Sequence, residues 1–115
     1  MVTGSSGLIG SYLVKRLSRE CNVIGLDLKP SVYTTVVYDV RDYGLVERAM
    51  RGVDVVIHCA AQTSVARSVE DPLFDAESNI VGTLNLLEIA RRSKGLKRFV
   101  YVSSAAVYGL HNTFQ

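Results

Sequence analysis

The sequence has few cysteines, little net charge and no long apolar run, and each absence excludes a class of protein. The two cysteines, Cys21 and Cys59, lie far apart, with no Cys-x-x-Cys motif and no histidine-rich segment beside them. Such usage is typical of a reduced, cytoplasmic protein without a metal site. A net charge of +2 is too small to indicate nucleic acid or an anionic membrane as the partner. No apolar run approaches the ~20 residues that a membrane span requires.

The chain also lacks a secretory signal, internal repeats and low-complexity segments. Residues 1–7 contain neither the basic start nor the apolar stretch of a signal peptide. The 115 residues, 48% hydrophobic and 21% charged, are enough for one globular domain with a buried core. We therefore expect residues 1–115 to lie within a single domain.

Short β-branched segments alternate with longer amphipathic segments, which is the pattern of βαβ units in a parallel sheet. Strands are predicted over residues 1–3, 22–27, 34–38, 54–59 and 98–103, and helices over residues 8–20, 43–50 and 73–92. Asp42, and Asp71 followed by Pro72, supply start signals for the last two helices. Residues 60–70 are predicted to form a loop. The pattern indicates an α/β fold.

Two features predict that this domain is incomplete. The strand at 98–103 would form a long apolar sheet edge, which natural sheets usually avoid. The helix at 73–92 carries apolar residues over an arc too wide for packing on one sheet. We expect the extra surface to be covered by further chain or by a second subunit, and a homodimer through this helix is one possibility.

A glycine-rich motif occupies the turn between the first strand and the first helix. Residues 3–10 read Thr-Gly-Ser-Ser-Gly-Leu-Ile-Gly. Glycines there allow a tight turn and a close ligand approach, and the N–H groups at the helix start favour a diphosphate. A P-loop is excluded because Ser11 and Tyr12 follow Gly10 in place of Lys-Ser/Thr. A glycine-rich turn without a ligand stays open at this point.

Asp27, at the end of the second predicted strand, favours a dinucleotide over a plain turn. An acidic side chain there can accept hydrogen bonds from an adenosine ribose. A 2′-phosphate at ~4 Å would be repelled by about 4 kcal/mol at an effective dielectric constant of ~20. We therefore predict NAD as the cofactor rather than NADP, a preference that Lys29 could weaken.

The motif and its context resemble the extended short-chain dehydrogenases/reductases of the nucleotide-sugar epimerase/dehydratase family. The glycines have this family's Thr-Gly-x-x-Gly-x-x-Gly spacing, and the resemblance covers the whole chain. It implies a Rossmann-like, doubly wound parallel sheet of about five strands in the order 3-2-1-4-5. It also implies that residues 1–115 are the NAD-binding part of a longer protein, with the substrate-binding C-terminal part absent.

The resemblance assigns roles to individual residues. The diphosphate motif contributes Gly4, Gly7, Leu8, Ile9 and Gly10. Asp39 and Val40 would contact the adenine edge, while Cys59, Ala60 and Ala61 would run beside the diphosphate and the nicotinamide ribose. Asn79 would lie near the cofactor, and Ser104 would supply a catalytic hydroxyl.

Simpler interpretations of some of these residues stay open. Asp39 could be a solvated loop acid, Cys59 a small buried hydrophobic residue, and Ser104 an ordinary turn serine. His58 ends an apolar strand and is predicted to be a hydrogen-bonded core residue, not a ligand or base. Arg67 is left unassigned.

The resemblance implies the activity of a UDP-glucose/UDP-galactose 4-epimerase, with hydride transfer to bound NAD and a 4-keto intermediate. Dehydration is disfavoured because Ala105 and Ala106 stand where the family's dehydratases carry acidic residues. The family's Tyr-x-x-x-Lys pair does not occur in this sequence. These 115 residues are therefore predicted to be inactive alone. A non-catalytic dinucleotide-binding module or remnant, and another reductase or dehydratase of the group, stay open as alternatives.

Overall fold

The computed structural model describes residues 1–109, which form a five-stranded parallel sheet in the order β3-β2-β1-β4-β5. Val2 of β1 pairs with Gly25 of β2 on one side and with Ile57 of β4 on the other. The elements in chain order are β1 (Val2–Thr3), α1 (Leu8–Leu17), β2 (Gly25–Asp27), β3 (Val36–Val37), α2 (Tyr43–Ala49), β4 (Val55–His58), α3 (Val65–Glu70), α4 (Pro72–Ala76), a π-helical segment (Glu77–Val81), α5 (Gly82–Arg92), β5 (Arg98–Tyr101) and a 3₁₀ turn (Ala105–Tyr108). The predicted Rossmann-like sheet and its strand order are confirmed.

The largest apolar core lies between the sheet and the packed pair α2 and α5. Leu26 and Val56 from the sheet, with Val46 and Leu86 from the two helices, are fully buried in it. The strands β2 and β4, which carry Leu26 and Val56, are apolar at these positions because the sheet is covered there. Each of these strands pairs with a neighbour on both sides, so its carboxyl end is a rigid support for the loop that follows.

The predicted helix starts at Asp42 and Asp71 are confirmed. Asp42 Oδ1 accepts a hydrogen bond from Leu45 N at 3.0 Å, and Asp71 Oδ1 accepts one from Phe74 N at 3.0 Å. Each carboxylate satisfies an amide that has no acceptor within its own helix, which typically stabilises the helix by about 1 kcal/mol.

The prediction of a loop over residues 60–70 was wrong, because α3 occupies its second half. The Ser64 hydroxyl accepts a hydrogen bond from Arg67 N at 3.3 Å and begins this helix. The helix has only six residues, and its apolar residues Val65 and Val69 are 79% and 78% exposed. It is therefore too short to show the periodicity that indicates a helix over windows of about 11–18 residues.

The predicted helix at 73–92 is interrupted by the π-helical segment, and the strands are shorter than predicted. The outer surface of this helical stretch exposes Ile80, Leu84 and Leu87 by 59%, 56% and 43%. Strand β5 lies at the edge of the sheet, as expected, with Tyr101 59% exposed. Among residues 1–109, no helix is long and apolar enough to cross a membrane.

A series of hydrogen bonds joins β1 to the end of β4. The Thr3 hydroxyl oxygen accepts the N–H groups of Cys59 at 3.2 Å and Ala60 at 3.1 Å. Its own proton is therefore available to His58 Nδ1, which lies 2.6 Å away. Thr3 thus fixes the backbone of β4 at the point where that strand ends.

The same series of hydrogen bonds continues from His58 into the helical layer. Because Nδ1 of His58 accepts from Thr3, its Nε2 carries the proton, which it donates to Thr83 Oγ1 at 3.0 Å. The Thr83 hydroxyl in turn donates to the Asn79 carbonyl at 2.7 Å. His58 is buried to 1% exposure, and this burial lowers its pKa to about 4. The prediction of a hydrogen-bonded core histidine is confirmed.

We predict that His58 makes the protein less stable as the pH falls from 6.5 towards 4. Over that range the unfolded imidazole, with a pKa near 6.5, binds a proton that the folded state excludes. The free energy of unfolding should decrease by up to about 1.4 kcal/mol per pH unit. Urea unfolding at pH 5, 6 and 7 in a His111→Gln background, which removes the second histidine of the sequence, measures this slope.

The matched comparison is His58→Gln in the same background, which should remove most of the slope above pH 5. Most carboxylates titrate below this range, so they contribute little to it. Histidine C2-proton NMR shifts of the folded protein should stay constant from pH 7 to 5. An imidazole that titrates near pH 6.5 in the folded protein would contradict the prediction.

Candidate functional site

A cavity of about 640 Å³ opens at the carboxyl ends of β1, β2 and β4, where doubly wound sheets bind their ligands. Its volume is within the ~300–1,000 Å³ range of small-molecule sites. It is lined by all but one of the residues predicted to bind the cofactor, namely Gly4, Gly7, Leu8, Ile9, Gly10, Asp27, Asp39, Val40, Cys59, Ala60 and Ala61. Within residues 1–109, no cluster of histidine, cysteine and acidic side chains could hold a metal ion.

Close backbone packing explains two of the glycines. Gly4 has a φ of +70°, and a Cβ atom there would lie 2.8 Å from the Ala60 nitrogen and the Cys59 carbonyl oxygen. A Cβ atom on Gly10 would lie 2.0 Å from the Gly4 carbonyl oxygen. Both positions therefore exclude any side chain, and the turn presses directly against the end of β4.

The amides of this turn are divided between internal bonds and free donors. Ser5 N donates to the Leu26 carbonyl at 3.2 Å, and Gly7 N donates to the Gly4 carbonyl at 3.0 Å. Among the described residues, no acceptor pairs with the N–H groups of Leu8 and Ile9, which begin α1. These two amides, at the positive end of the helix dipole, are the turn's donors for an anion.

Asp27 is oriented by backbone donors on both sides. Its Oδ2 accepts from Ser6 N at 2.9 Å, and its Oδ1 accepts from Lys29 N at 2.9 Å. An ionised carboxylate has about four acceptor positions, so two remain for the hydroxyl groups of a ribose. The Ser6 bond also ties the carboxylate to the glycine turn, which fixes the spacing between the ribose and diphosphate positions.

The end of β4 provides a floor of small side chains. Cys59, Ala60 and Ala61 line the cavity, and the first two are anchored by Thr3. Burial raises the pKa of the Cys59 thiol, so the group stays protonated near neutral pH and is a poor nucleophile. Cys59 fits the simpler role of a small side chain that lets a ligand approach the backbone.

Asp39, predicted to contact adenine, is paired with Arg41. Its Oδ2 accepts from Arg41 Nη2 at 2.7 Å and from Nε at 2.9 Å, and its Oδ1 accepts from Arg41 N at 2.9 Å. These bonds lower the pKa of Asp39 and keep it ionised. Asp39 is therefore not a freely solvated loop acid, and both it and Val40 line the cavity.

Asn79 is not among the residues that line the cavity, and its position near the cofactor stays a prediction. Its Oδ1 accepts from Gln62 N at 2.8 Å, and its Nδ2 donates to the Gln62 carbonyl at 3.0 Å and to Asp75 Oδ1 at 3.1 Å. Ser78 faces the cavity instead. The π-helical segment holds more residues per turn than an α-helix, which shifts the face expected from 3.6-residue spacing.

Ser104 lies after β5 and outside the cavity lining. Its hydroxyl oxygen accepts from Ala106 N at 3.1 Å and caps the 3₁₀ turn. This bond leaves the hydroxyl proton and one lone pair for another partner. Phe74, which no sequence pattern indicated, lines the cavity together with the unassigned Arg67. Neither residue belongs to a recognisable motif.

Known proteins are similar to this chain in both sequence and fold. The chain is 40% identical to a putative UDP-glucose 4-epimerase of Methanocaldococcus jannaschii, over 97% of this chain and 40% of that protein. The UDP-glucose 4-epimerase of Thermus thermophilus, solved in complex with NAD, is 43% identical with a TM-score of 0.71, over 79% of this chain and 33% of its own. The Thermotoga maritima UDP-glucose 4-epimerase, solved with UDP-glucose, is 34% identical with a TM-score of 0.84, over 97% and 40%.

The chain therefore spans about 40% of the length of the curated relatives that it matches. Over residues 1–115 it matches the NAD dependent epimerase/dehydratase family. NAD, found in solved neighbours, is the cofactor of this group. The glycine turn, the ribose carboxylate and the small-residue floor fit that cofactor, and the chain belongs to the NAD-dependent epimerase/dehydratase family.

Proposed function

We propose that residues 1–115 are the NAD-binding domain of a UDP-glucose 4-epimerase-like enzyme. The observation that carries the proposal is the pairing of two free donors with one oriented acceptor. Leu8 and Ile9, whose N–H groups have no acceptor among the described residues, line the same cavity as Asp27, and the Ser6 bond ties Asp27 to their turn. This arrangement matches a diphosphate joined to an adenosine ribose.

Each wall of the cavity has a role in this proposal. The α1 start binds the diphosphate, Asp27 accepts the adenosine ribose hydroxyls, and Asp39 with Val40 reads the adenine edge. Cys59, Ala60 and Ala61 let the cofactor lie against the backbone. Gly4, Gly7 and Gly10 hold the turn that makes this approach possible.

The proposed substrate is a UDP-sugar, such as the UDP-glucose bound in the Thermotoga maritima neighbour. Bound NAD supplies a hydride acceptor for the sugar C4–H, and Ser104 hydrogen-bonds the reacting oxygen. The Tyr-x-x-x-Lys motif, from which the family takes its general base, does not occur within these 115 residues. A non-catalytic NAD-binding module is therefore the second candidate for this chain.

We further propose a homodimer that covers the outer surface of the π-helical segment and α5. Ile80, Leu84 and Leu87 recur at intervals of three and four residues on that surface, and all three are more than 40% exposed. An apolar stripe of this kind is typical of a helix packed against other helices.

A cytoplasmic location stays a prediction from cysteine usage.

A chimera tests the proposed function directly. Residues 1–109 should replace the corresponding part of the Thermotoga maritima enzyme and support conversion of UDP-glucose to UDP-galactose. The isolated 115-residue chain should bind NAD without converting the sugar. In the chimera, Ser104→Ala should lower the turnover number by about 10²-fold, because it removes a hydrogen bond to the reacting oxygen.

NAD binding and turnover are measured separately, so the two candidate functions give different results. A chimera that binds NAD but converts no UDP-glucose would support the non-catalytic module. No NAD binding by either protein would contradict both candidates. The Ser103→Ala chimera is the matched control, and it should retain most of the activity.

We predict that the chain binds NAD at least about 100-fold more tightly than NADP. The Asp27 carboxylate would repel a 2′-phosphate, and screening reduces but does not remove this repulsion. Asp27→Asn should weaken NAD binding and reduce the preference to about tenfold or less. Asp54→Asn, at an exposed carboxylate outside the cavity, is the charge-matched control. Isothermal calorimetry with both dinucleotides measures the ratios, and a preference unchanged in Asp27→Asn would contradict the assigned role.

A further inference from the structure

The Phe74 ring is in contact with two guanidinium groups beside the cavity. The Arg67 Cζ atom is 4.1 Å from the ring centroid, and the Arg41 Cζ atom is 5.0 Å from it. Both distances are within the range of cation–π contacts. Phe74 and Arg67 line the cavity, whereas Arg41 does not.

The two arginines differ in their partners. Arg41 forms ion pairs with Asp39 at 2.7 Å and with Glu77 at 3.1 Å, so its charge is already neutralised. Within residues 1–109, the Arg67 side chain forms neither an ion pair nor a hydrogen bond, and it contacts the Phe74 ring. Its guanidinium therefore retains N–H donors and a second planar face for a ligand in the cavity.

The neighbours of Arg67 assign it to the adenine end. Phe74 contacts Arg41, which holds the Asp39 carboxylate that is proposed to read the adenine edge. Ser78 follows Phe74 by one helical turn and lines the same cavity. The donors for the diphosphate, by contrast, are at the start of α1.

We propose that Arg67, in contact with the Phe74 ring, forms the outer wall of the adenine slot and stacks its guanidinium on the purine ring. This role rests on the proposed binding of NAD in the cavity. The ligand class is a purine nucleotide, recognised through its ring face. Asp39 and Val40 discriminate between purines through the edge of the ring. Arg67 contributes binding affinity that does not depend on whether the purine carries an amino group, as adenine does, or an oxo group, as hypoxanthine does.

A phosphate contact is the competing role for this arginine, and the two roles differ in their chemistry. Stacking requires a planar group, so lysine should not replace Arg67. A phosphate contact requires charge, so lysine should largely restore it, and the loss in Arg67→Ala should extend to inorganic pyrophosphate.

The experiment compares Arg67→Ala, Arg67→Lys and the control Arg51→Ala, which removes an exposed arginine outside the cavity. Calorimetry gives the affinities for NAD, AMP and the hypoxanthine analogue of NAD, and competition against NAD gives that for pyrophosphate. Arg67→Ala should weaken all three purine ligands by a similar factor of about five to ten. Arg67→Lys should show the same loss of purine affinity as Arg67→Ala. Both Arg67 variants should bind pyrophosphate as tightly as the wild type, and Arg51→Ala should bind every ligand as the wild type does.

Each other outcome overturns the proposal. Loss of pyrophosphate affinity, or restoration by lysine, would assign Arg67 to a phosphate. Purine affinities within twofold of the wild type in Arg67→Ala would remove the role while leaving the proposed function intact. A wild-type chain that does not bind NAD would overturn both.

Phe74 is a positioning residue in this scheme, and a double-mutant cycle tests that role. Phe74→Leu keeps an apolar side chain but removes the aromatic face, and it should weaken AMP binding about threefold. The Arg67→Ala and Phe74→Leu effects should be less than additive, because each removes the same stack. Thermal unfolding of each variant separates this effect from a loss of folding, and additive effects on AMP affinity would contradict it.

Discussion

The contact between the glycine turn and the end of β4 is the constraint on which the rest of the site depends. Gly4 approaches the Cys59–Ala60 peptide so closely that no Cβ atom fits, and Thr3 bonds both amides of that segment. The turn is therefore built against a neighbouring strand rather than left as a free loop. This packing aims the start of α1 across the floor of the cavity, and it holds that direction without help from a ligand.

The same turn also orients the Asp27 carboxylate, the proposed ribose acceptor. Ser6 donates to Asp27, so the carboxylate, the turn and the β4 floor form one connected unit. His58 extends this unit into the helical layer through Thr83. Because His58 stays neutral when buried, the connection keeps a single tautomer and a single direction of donation throughout the neutral pH range. The Asp27 carboxylate and the sheet are consequently linked through backbone amides.

Much of this arrangement could be predicted because it follows from strong local signals. Alternating β-branched segments, the glycine motif and Asp27 at a strand end all report backbone geometry. Helix α3 escaped prediction because its six residues are too few for the periodicity that indicates a helix. The cavity-lining position of Ser78 was not predicted, because the π-helical segment alters the facing of side chains. The stack on Phe74 joins Arg67 on the preceding helix with Arg41 from the loop before α2, and only tertiary structure brings Arg41 to this ring.

The two ends of the cavity are thus stabilised in different ways. Backbone amides and buried strands build the end that contains the glycine turn and Asp27, whose geometry changes little without disrupting the sheet. Side chains on α3 and α4 build the end that contains Arg67 and Phe74, and neither helix contains a buried residue. Such segments have low local stability and are ordered mainly by the contacts they make. Asn79 counters this by bonding both backbone groups of Gln62, which anchors the segment leading into α3. A rigid end built from backbone amides and an adjustable end built from side chains therefore coexist in one cavity.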